Sequence, residues 1–147
     1  MPERIEVDSF FRPLNQFEIK HAPAELFVEG DRSLLRGGLR VSVVGTRKPT
    51  KEGVMRCRAL VKALVEQDAI IVSGLAEGID SVAHTTAIES GGKTIAVLGT
   101  PLSKCFPASN KALLERIKAD HLAVSQFPEG YPGGKDNFPR RNRTMAL

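Results

Sequence analysis

The fold of this 147-residue chain is decided by the stretch Val72-Ser73-Gly74-Leu75-Ala76-Glu77-Gly78-Ile79-Asp80-Ser81-Val82-Ala83-His84. The apolar run at 69–72 predicts a buried strand, two small residues break that run, and residues 78–80 open a helix. A strand, a small-residue turn and a helix in this order begin a βαβ unit. Such a turn leaves backbone N–H groups at a helix N-terminus, where they attract anions and above all phosphate.

The same alternation of strand and helix continues along the chain. We expect strands at 25–29, 39–44, 69–72, 93–98 and 121–125, and helices at 51–67, 79–89 and from 107 or 109 to 118. Apolar runs rich in β-branched residues are typical of parallel strands that are covered on both faces. The prediction is an α/β fold with a mainly parallel sheet and helices on both faces. Ligands of such sheets bind beyond the carboxyl ends of the strands, where we expect the loops 45–50, 73–78, 99–109 and 126–139 to meet.

The composition bounds the class of protein. A hydrophobic content of 41% and a charged content of 26% are ordinary for one globular domain with a core. No apolar run approaches the roughly 18 residues of a membrane span, and we expect no membrane partner. Cys57 and Cys105 have no metal-ligand spacing, so we expect reduced thiols in a cytoplasmic protein without metal or cofactor. We expect residues 1–24 to form an N-terminal arm that packs on a domain over 25–147.

The net charge of +4 is unevenly distributed along the chain. Residues 45–73 carry six basic and three acidic side chains, and residues 135–147 carry four basic and one acidic. This distribution favours an anionic partner at those two places. Composition alone favours the simpler interpretation that these side chains solvate a surface.

Several side chains at the predicted edge suit contact with phosphate. Arg47 follows a buried strand directly, from where a guanidinium can hold a phosphate with two hydrogen bonds. From the residues alone, an arginine that only caps the fold is an equal alternative. Ser73 and Gly74 offer a hydroxyl and a bare backbone, although a tight turn requires a glycine in any case. The candidate phosphate contacts are Arg47, Lys48, Ser73, Gly74, Lys111, Lys135, Arg141, Asn142 and Arg143.

Four of the eight Phe and Tyr residues fall on loops at or just after the predicted edge, and each lies near a lysine or arginine. Aromatic rings that stack on bases, interleaved with cations, bind single strands without reading their sequence. We predict Phe106 and Tyr131 as the stacking residues. For Phe127 and Phe138 we favour an inward position as loop anchors.

Asp80 and His84 are four residues apart, so they are neighbours on one predicted helix. With Ser81 nearby, they contain the residue types of a hydrolytic triad. We predict a structural hydrogen bond between Asp80 and His84 instead, because the chain has no Gly-x-Ser-x-Gly elbow. His21 and His121 have no ligand spacing to His84, and we expect no metal site.

Four motifs occur in an order that resembles one known family. In chain order they are Val43-Val44-Gly45-Thr46-Arg47-Lys48-Pro49, then Ser73-Gly74-Leu75-Ala76-Glu77-Gly78-Ile79-Asp80 followed by Ala83-His84, then Gly91-Gly92-Lys93-Thr94-Ile95-Ala96-Val97-Leu98-Gly99, and last Phe138-Pro139-Arg140-Arg141-Asn142-Arg143. Together they resemble the signature segments of the DNA-processing protein A family, also called DprA or Smf. The resemblance places Arg141, Asn142 and Arg143 at the edge of the sheet.

The resemblance implies a Rossmann-like three-layer domain and a protein that is not an enzyme. It implies binding of single-stranded DNA in DNA uptake, natural transformation and recombination, with protection of the incoming strands and assistance in loading RecA. RecA is therefore an implied partner, and a homodimer is left open. The family's domain continues beyond Arg143, so we expect the domain over 25–147 to be incomplete at its C-terminal end.

A nucleotide-binding enzyme or sensor is the alternative function. Nucleoside-monophosphate phosphoribohydrolases resemble the same fold but carry a Pro-Gly-Gly-x-Gly-Thr segment with a glutamate nearby. Here Pro132-Gly133-Gly134 continues with Lys135-Asp136, without the Gly-Thr pair and without the catalytic carboxylate. The alternative stays open because a phosphate-binding edge also suits mononucleotides.

Overall fold

The computed structural model describes residues 2–7 and 14–147, so parts of the predicted N-terminal arm, residues 1 and 8–13, lie outside the described residues. The strands are β1 (Glu3–Glu6), β2 (Glu25–Gly30), β3 (Arg40–Ser42), β4 (Ile70–Ser73), β5 (Thr94–Leu98) and β6 (Leu122–Ser125). The helices are α1 (Gln16–His21), α2 (Lys51–Glu66), α3 (Ile79–Glu89), α4 (Lys111–Asp120) and α5 (Asn137–Met145). Short 3₁₀ turns cover Arg32–Leu35 and Ala108–Asn110.

The six strands form a single sheet in the order β1-β2-β6-β5-β4-β3. The four strands from β3 to β6 are parallel, whereas β2 is antiparallel to β6 and β1 is antiparallel to β2. The predicted α/β fold with a mainly parallel sheet is confirmed. The described start of the N-terminal arm belongs to the sheet as its edge strand β1.

The core lies on both faces of the sheet, because successive residues of each strand point to opposite sides. One face carries Val72, Ile95, Val97, Leu122 and Val124, which pack with Leu26 and Val28 of β2 and with Met145 at the end of α5. The other face carries Ile71, Ala96, Leu98 and Ala123, which pack under α2, α3 and α4. Strands buried on both faces explain why their sequences are apolar runs without polar alternation.

Local signals set the helix starts. The Thr50 hydroxyl accepts a hydrogen bond from the Gly53 N–H at 3.0 Å, which caps α2 at the predicted residue. The helix predicted from 107 or 109 differs, since a 3₁₀ turn precedes α4 and the α-helix begins only at Lys111. In the described part of the chain, no helix has the length and apolarity needed to cross a membrane.

The predicted loop over 126–139 is wrong at its end, because α5 begins at Asn137. Pro139 lies in the first turn of α5, where its missing N–H has no intrahelical partner to lose. The buried residues of α5 are Asn137, Arg141 and Thr144, which share one helical face. The motif over 138–143 is therefore a helix that packs on the sheet, and not a loop.

Candidate functional site

The carboxyl ends of the parallel strands open into two adjoining cavities, which we call together the edge cleft. The aromatic cavity, of about 80 Å³, is lined by Arg47, Gly74, Ala76, Glu77, Phe106, Pro107 and Phe138. The open cavity, of about 450 Å³, is lined among others by Gly45, Arg47, Ala76, Asp80, Arg141 and Asn142. Arg47 and Ala76 border both cavities. The edge cleft thus lies where parallel α/β sheets bind their ligands.

The turn that carries Arg47 is fixed by its neighbours. The Thr46 carbonyl accepts from the Ile79 N–H at 3.1 Å, and the Thr46 hydroxyl accepts from the Lys48 N–H at 3.1 Å. Gly78 has a φ of 78°, and a Cβ there would lie 2.8 Å from the Arg47 carbonyl carbon. Only glycine permits this backbone and this close approach. The start of α3 therefore holds the turn in place while the Arg47 side chain stays exposed.

Two phenylalanines accompany Arg47 in the aromatic cavity. Phe106 is 57% exposed, and its ring centroid lies 5.6 Å from that of Phe138. The guanidinium carbons of Arg47 and Arg141 lie 5.9 Å and 5.6 Å from the centroid of the Phe138 ring. The structure thus brings together two predicted site residues, Arg47 and Phe106. It also places the half-buried Phe138, which we expected as an inward anchor, in the lining of the same cavity.

Arg141 is an internal group and not a free cation. It is 6% exposed, and its Nη1 donates to the carbonyls of Gly74 at 2.7 Å and Val97 at 3.1 Å. Burial lowers the pKa of Arg141, and the nearby Asp80 carboxylate opposes this shift. The expectation that Arg141 offers its guanidinium to a phosphate is therefore corrected, because its hydrogen bonds tie the ends of β4 and β5 to α5.

Gly74 is clamped between Asp80 and Arg141. Its N–H donates to Oδ2 of the buried Asp80 at 3.1 Å, while its carbonyl accepts from Arg141. A Cβ at Gly74 would overlap the Arg141 guanidinium and approach Asp80 Oδ2 to 2.8 Å. Gly74 lines the aromatic cavity, but both polar groups of its backbone already have partners inside the protein.

Ser73 does not reach the edge cleft. It is fully buried, and its hydroxyl donates to the Val43 carbonyl at 2.6 Å. The expected contact of its hydroxyl with a phosphate or sugar is corrected for this reason. The hydroxyl instead joins β3 to β4 below the cleft.

Asp80 and His84 do not form the predicted hydrogen bond with each other. Asp80 holds the Gly74 N–H, whereas His84 Nδ1 lies 2.6 Å from the Thr94 hydroxyl. Burial lowers the pKa of His84 to about 3, so the imidazole is neutral near pH 7. The Ser81 hydroxyl donates to the Ala76 carbonyl at 2.6 Å. These side chains support the turn from within and do not form a nucleophile–base pair.

The remaining predicted cations are spread around the edge. Lys48, Lys111 and Lys135 are exposed, but none of them lines either cavity. Asn142 lines the open cavity, and its Oδ1 accepts from Arg141 Nε at 3.0 Å. Arg143 lines a different cavity, beside α1. The structure therefore places Asn142 in the same cavity as Arg47, whereas Arg143 lies in a different one.

Tyr131 belongs to a separate aromatic cluster. Its ring centroid lies 5.1 Å from that of Phe127, and its hydroxyl accepts from Arg140 Nη1 at 2.6 Å. Phe127 is 1% exposed, which confirms its predicted inward position. Tyr131 is half-buried and does not line the edge cleft.

The thiols and acids offer no second site. Burial raises the pKa of both Cys57 and Cys105, so the thiols stay protonated near pH 7. Over residues 2–7 and 14–147, no group of three or more His, Cys, Asp or Glu side chains is placed to hold a metal ion.

The sequence matches the family model of DNA recombination-mediator protein A over residues 6–147. It is 43% identical to DNA processing protein DprA of Streptococcus pneumoniae over 134 residues, which are 91% of this chain and 47% of that protein. It is 40% identical to protein Smf of Synechocystis over 148 residues, which cover 99% of this chain and 37% of that protein. The chain thus spans about half or less of the length of these curated relatives.

Solved structures agree with the sequence match. The X-ray structure of DNA processing protein A from Streptococcus pneumoniae superposes with a TM-score of 0.89 at 40% identity, over 98% of this chain and 50% of that one. DNA processing protein A from Helicobacter pylori, solved to describe its single-stranded DNA binding mode, superposes with a TM-score of 0.82 at 28% identity. That match covers 99% of this chain and 64% of the other.

Proposed function

This chain belongs to the DNA recombination-mediator protein A family, and we propose that it binds single-stranded DNA in the edge cleft as a DNA-processing protein of transformation and recombination. The observation that carries the proposal is the pairing of exposed Arg47 with exposed Phe106 in one cavity beyond the parallel strands. The Helicobacter pylori relative is described as binding single-stranded DNA, which supports the same ligand for this chain.

The two side chains supply complementary contacts to a strand. The Arg47 guanidinium holds a phosphate, and the Phe106 ring offers a face to a base, a contact worth about 1–3 kcal/mol. Neither contact depends on the identity of the base. Lys48, next to Arg47, and Lys111 and Lys135 are exposed, and we propose that they contact further phosphates of the strand. Phosphate contacts make the affinity fall with salt, with a slope of roughly −0.7 per phosphate.

We propose no catalytic step. Ser42, which lines the open cavity, donates its hydroxyl to the Met145 carbonyl, and the hydroxyls of Ser73 and Ser81 also donate to backbone carbonyls. His84 is fully buried and far below its usual pKa, so it offers no base to a bound ligand. These observations disfavour the alternative of a nucleotide hydrolase.

We propose the wider role from family membership. The description of the family as a DNA recombination mediator supports our proposal that the whole protein protects incoming strands and helps to load RecA on them. A homodimer and a cytoplasmic location are part of the same proposal. The reduced, buried state expected of Cys57 agrees with the cytoplasm.

The test is fluorescence anisotropy of a labelled oligo-dT strand, at low and at moderate salt, with unlabelled strand, matched duplex and a nucleoside monophosphate as competitors. We expect salt-sensitive binding that unlabelled strand displaces and that duplex and mononucleotide displace poorly. No strand binding by a folded protein, together with thermal stabilisation by the monophosphate, would favour the nucleotide alternative instead.

A further inference from the structure

We propose that Glu77 makes the aromatic cavity select guanine among the bases of a bound strand. The inference rests on the proposed binding of single-stranded DNA and adds a preference for one base at one position. It concerns an acidic side chain in the aromatic cavity, whose other charged lining residue is a cation, Arg47.

Glu77 lies in the turn before α3 and lines the aromatic cavity together with Arg47 and Phe106. Its side chain is exposed, and among the described residues its carboxylate makes no hydrogen bond and no ion pair. The other acid of this turn region, Asp80, is buried and bonded to the Gly74 N–H. Glu77 is therefore the carboxylate that meets a ligand in the aromatic cavity.

A carboxylate in this position limits what can lie against it. An ionised carboxylate only accepts hydrogen bonds, and it repels a phosphate. A strand whose phosphate is held by Arg47 must therefore present a different group to Glu77. The group that fits is the N–H edge of a base, since Phe106 offers its ring to the face of that base.

The four bases differ at this edge. Guanine carries two adjacent donors, N1–H and the N2 amino group, which match the two oxygens of a carboxylate. Cytosine and adenine place one amino group beside an acceptor nitrogen, and thymine places one N–H between two carbonyl oxygens. Each of these three bases would place an acceptor atom next to the carboxylate oxygens, so only guanine forms two hydrogen bonds with the carboxylate. A bidentate base contact discriminates by about fivefold or more.

The test uses strands of one length, short enough that the protein occupies a single register on them, and all thymine except for one central base. Anisotropy competition compares central guanine, cytosine, adenine, thymine and hypoxanthine, which keeps N1–H but lacks the 2-amino group. We expect the guanine strand to bind about fivefold to tenfold more tightly than the all-thymine strand. The hypoxanthine strand should lose most of this advantage, because one of the two hydrogen bonds is gone.

Two matched variants assign the preference to Glu77. Glu77→Gln should lose the guanine preference, because its amide offers a single acceptor to the two donors of guanine. It should bind the all-thymine strand slightly more tightly than the parent does, because a negative charge leaves the cleft. Glu89→Gln removes the same charge from an exposed position at the other end of α3 and should keep the guanine preference.

Equal affinity of the parent for all five strands would overturn the inference, as would a guanine preference that survives in Glu77→Gln. If the all-thymine strand binds with salt sensitivity in either case, the proposed function stands without the inference. If no strand binds at all, both fail.

Discussion

Arg47 and Arg141 come from the two most positive segments of the chain, and both place a guanidinium within 6 Å of the same Phe138 ring, at 5.9 Å and 5.6 Å from its centroid. Arg47 is exposed, and in the described part of the chain its side chain makes no hydrogen bond or ion pair. Arg141 is buried and donates to two backbone carbonyls. Of the two arginines near this ring, Arg141 thus holds the fold together, whereas we propose that Arg47 binds a ligand.

Arg47 and Arg141 differ in exposure because the turn and the helix that carry them have different surroundings. The turn over 45–50 follows β3, and residues 44–48 are all exposed, so the Arg47 cation keeps its hydration. The first turns of α5 lie against the ends of β4 and β5, where the carbonyls of Gly74 and Val97 face the Arg141 guanidinium. The guanidinium of Arg141 is planar and carries five donors, so one side chain can bond to both carbonyls. These hydrogen bonds compensate for part of the cost of removing its charge from water.

Replacing Arg141 should produce the largest effect. Arg141→Ala leaves two strand-end carbonyls and the buried Asp80 without their cation, and we expect the free energy of unfolding to fall by about 3 kcal/mol. Urea denaturation followed by circular dichroism measures this loss. The neighbouring Arg140→Ala is the control, with an expected loss below about 1 kcal/mol, because Arg140 is exposed. Its contacts are a hydrogen bond to the Tyr131 hydroxyl and cation–π contacts with the Phe127 and Tyr131 rings.

Equal losses for the two neighbours would contradict the structural role of Arg141. Arg141→Lys sharpens the result, since it keeps the charge but cannot reach two carbonyls with planar geometry. We expect it to recover less than half of the stability that alanine removes.

The stability of the folded protein should also depend on pH, because His84 is buried in the interior. The folded pKa of His84, about 3, lies below its unfolded value near 6.5, so the unfolded state binds more protons between these values. Stability is then fully present above pH 6.5 and is lost as the pH falls toward 3. Between pH 7 and pH 5 the loss should be about 2 kcal/mol.

Urea midpoints at the two pH values measure this loss, and NMR of the imidazole assigns it. The His84 resonances should show no titration from pH 7 to pH 5 in the folded protein. A titration centred near pH 6.5 would show that His84 is accessible and would remove the buried support assumed below the edge cleft.

The sequence predicts the fold well, because its signals are local. Apolar runs of four to six residues mark β4, β5 and β6, and the Thr50 cap marks the start of α2. The turn over 73–78 and the Arg47 turn are predicted at the edge, because the carboxyl ends of parallel strands always meet there.

Burial of individual polar residues could not be predicted in the same way. Arg141 lies in a charged segment, where nothing in the local pattern tells it apart from Arg140 and Arg143. Its role depends on carbonyls of Gly74 and Val97, which are 67 and 44 residues away along the chain. The one signal for this burial in the sequence is the spacing of residues 137, 141 and 144, which places three polar residues on a single helical face.

A smaller effect concerns the aromatic part of the edge cleft. Phe106→Ala should weaken binding of an oligo-dT strand by about fivefold, or about 1 kcal/mol, because one stacked base loses its ring. The control is Phe17→Ala on α1, which removes a ring that is even more exposed (71% against 57%) from outside the edge cleft and should leave the affinity unchanged. Equal weakening by both variants would mean that the strand does not stack in the aromatic cavity.

The most direct test of the division between the two arginines is the oligo-dT affinity of Arg47→Ala beside that of Lys62→Ala, with the unfolding free energy of both proteins. Lys62 is exposed on α2 and does not line the edge cleft, so its loss removes the same charge elsewhere. We predict that Arg47→Ala binds about tenfold more weakly than the parent and unfolds within about 0.5 kcal/mol of it. Lys62→Ala should stay within about twofold in affinity. Parent-like binding by Arg47→Ala, or equal weakening in the two variants, would contradict the assignment of the edge cleft as the strand-binding site.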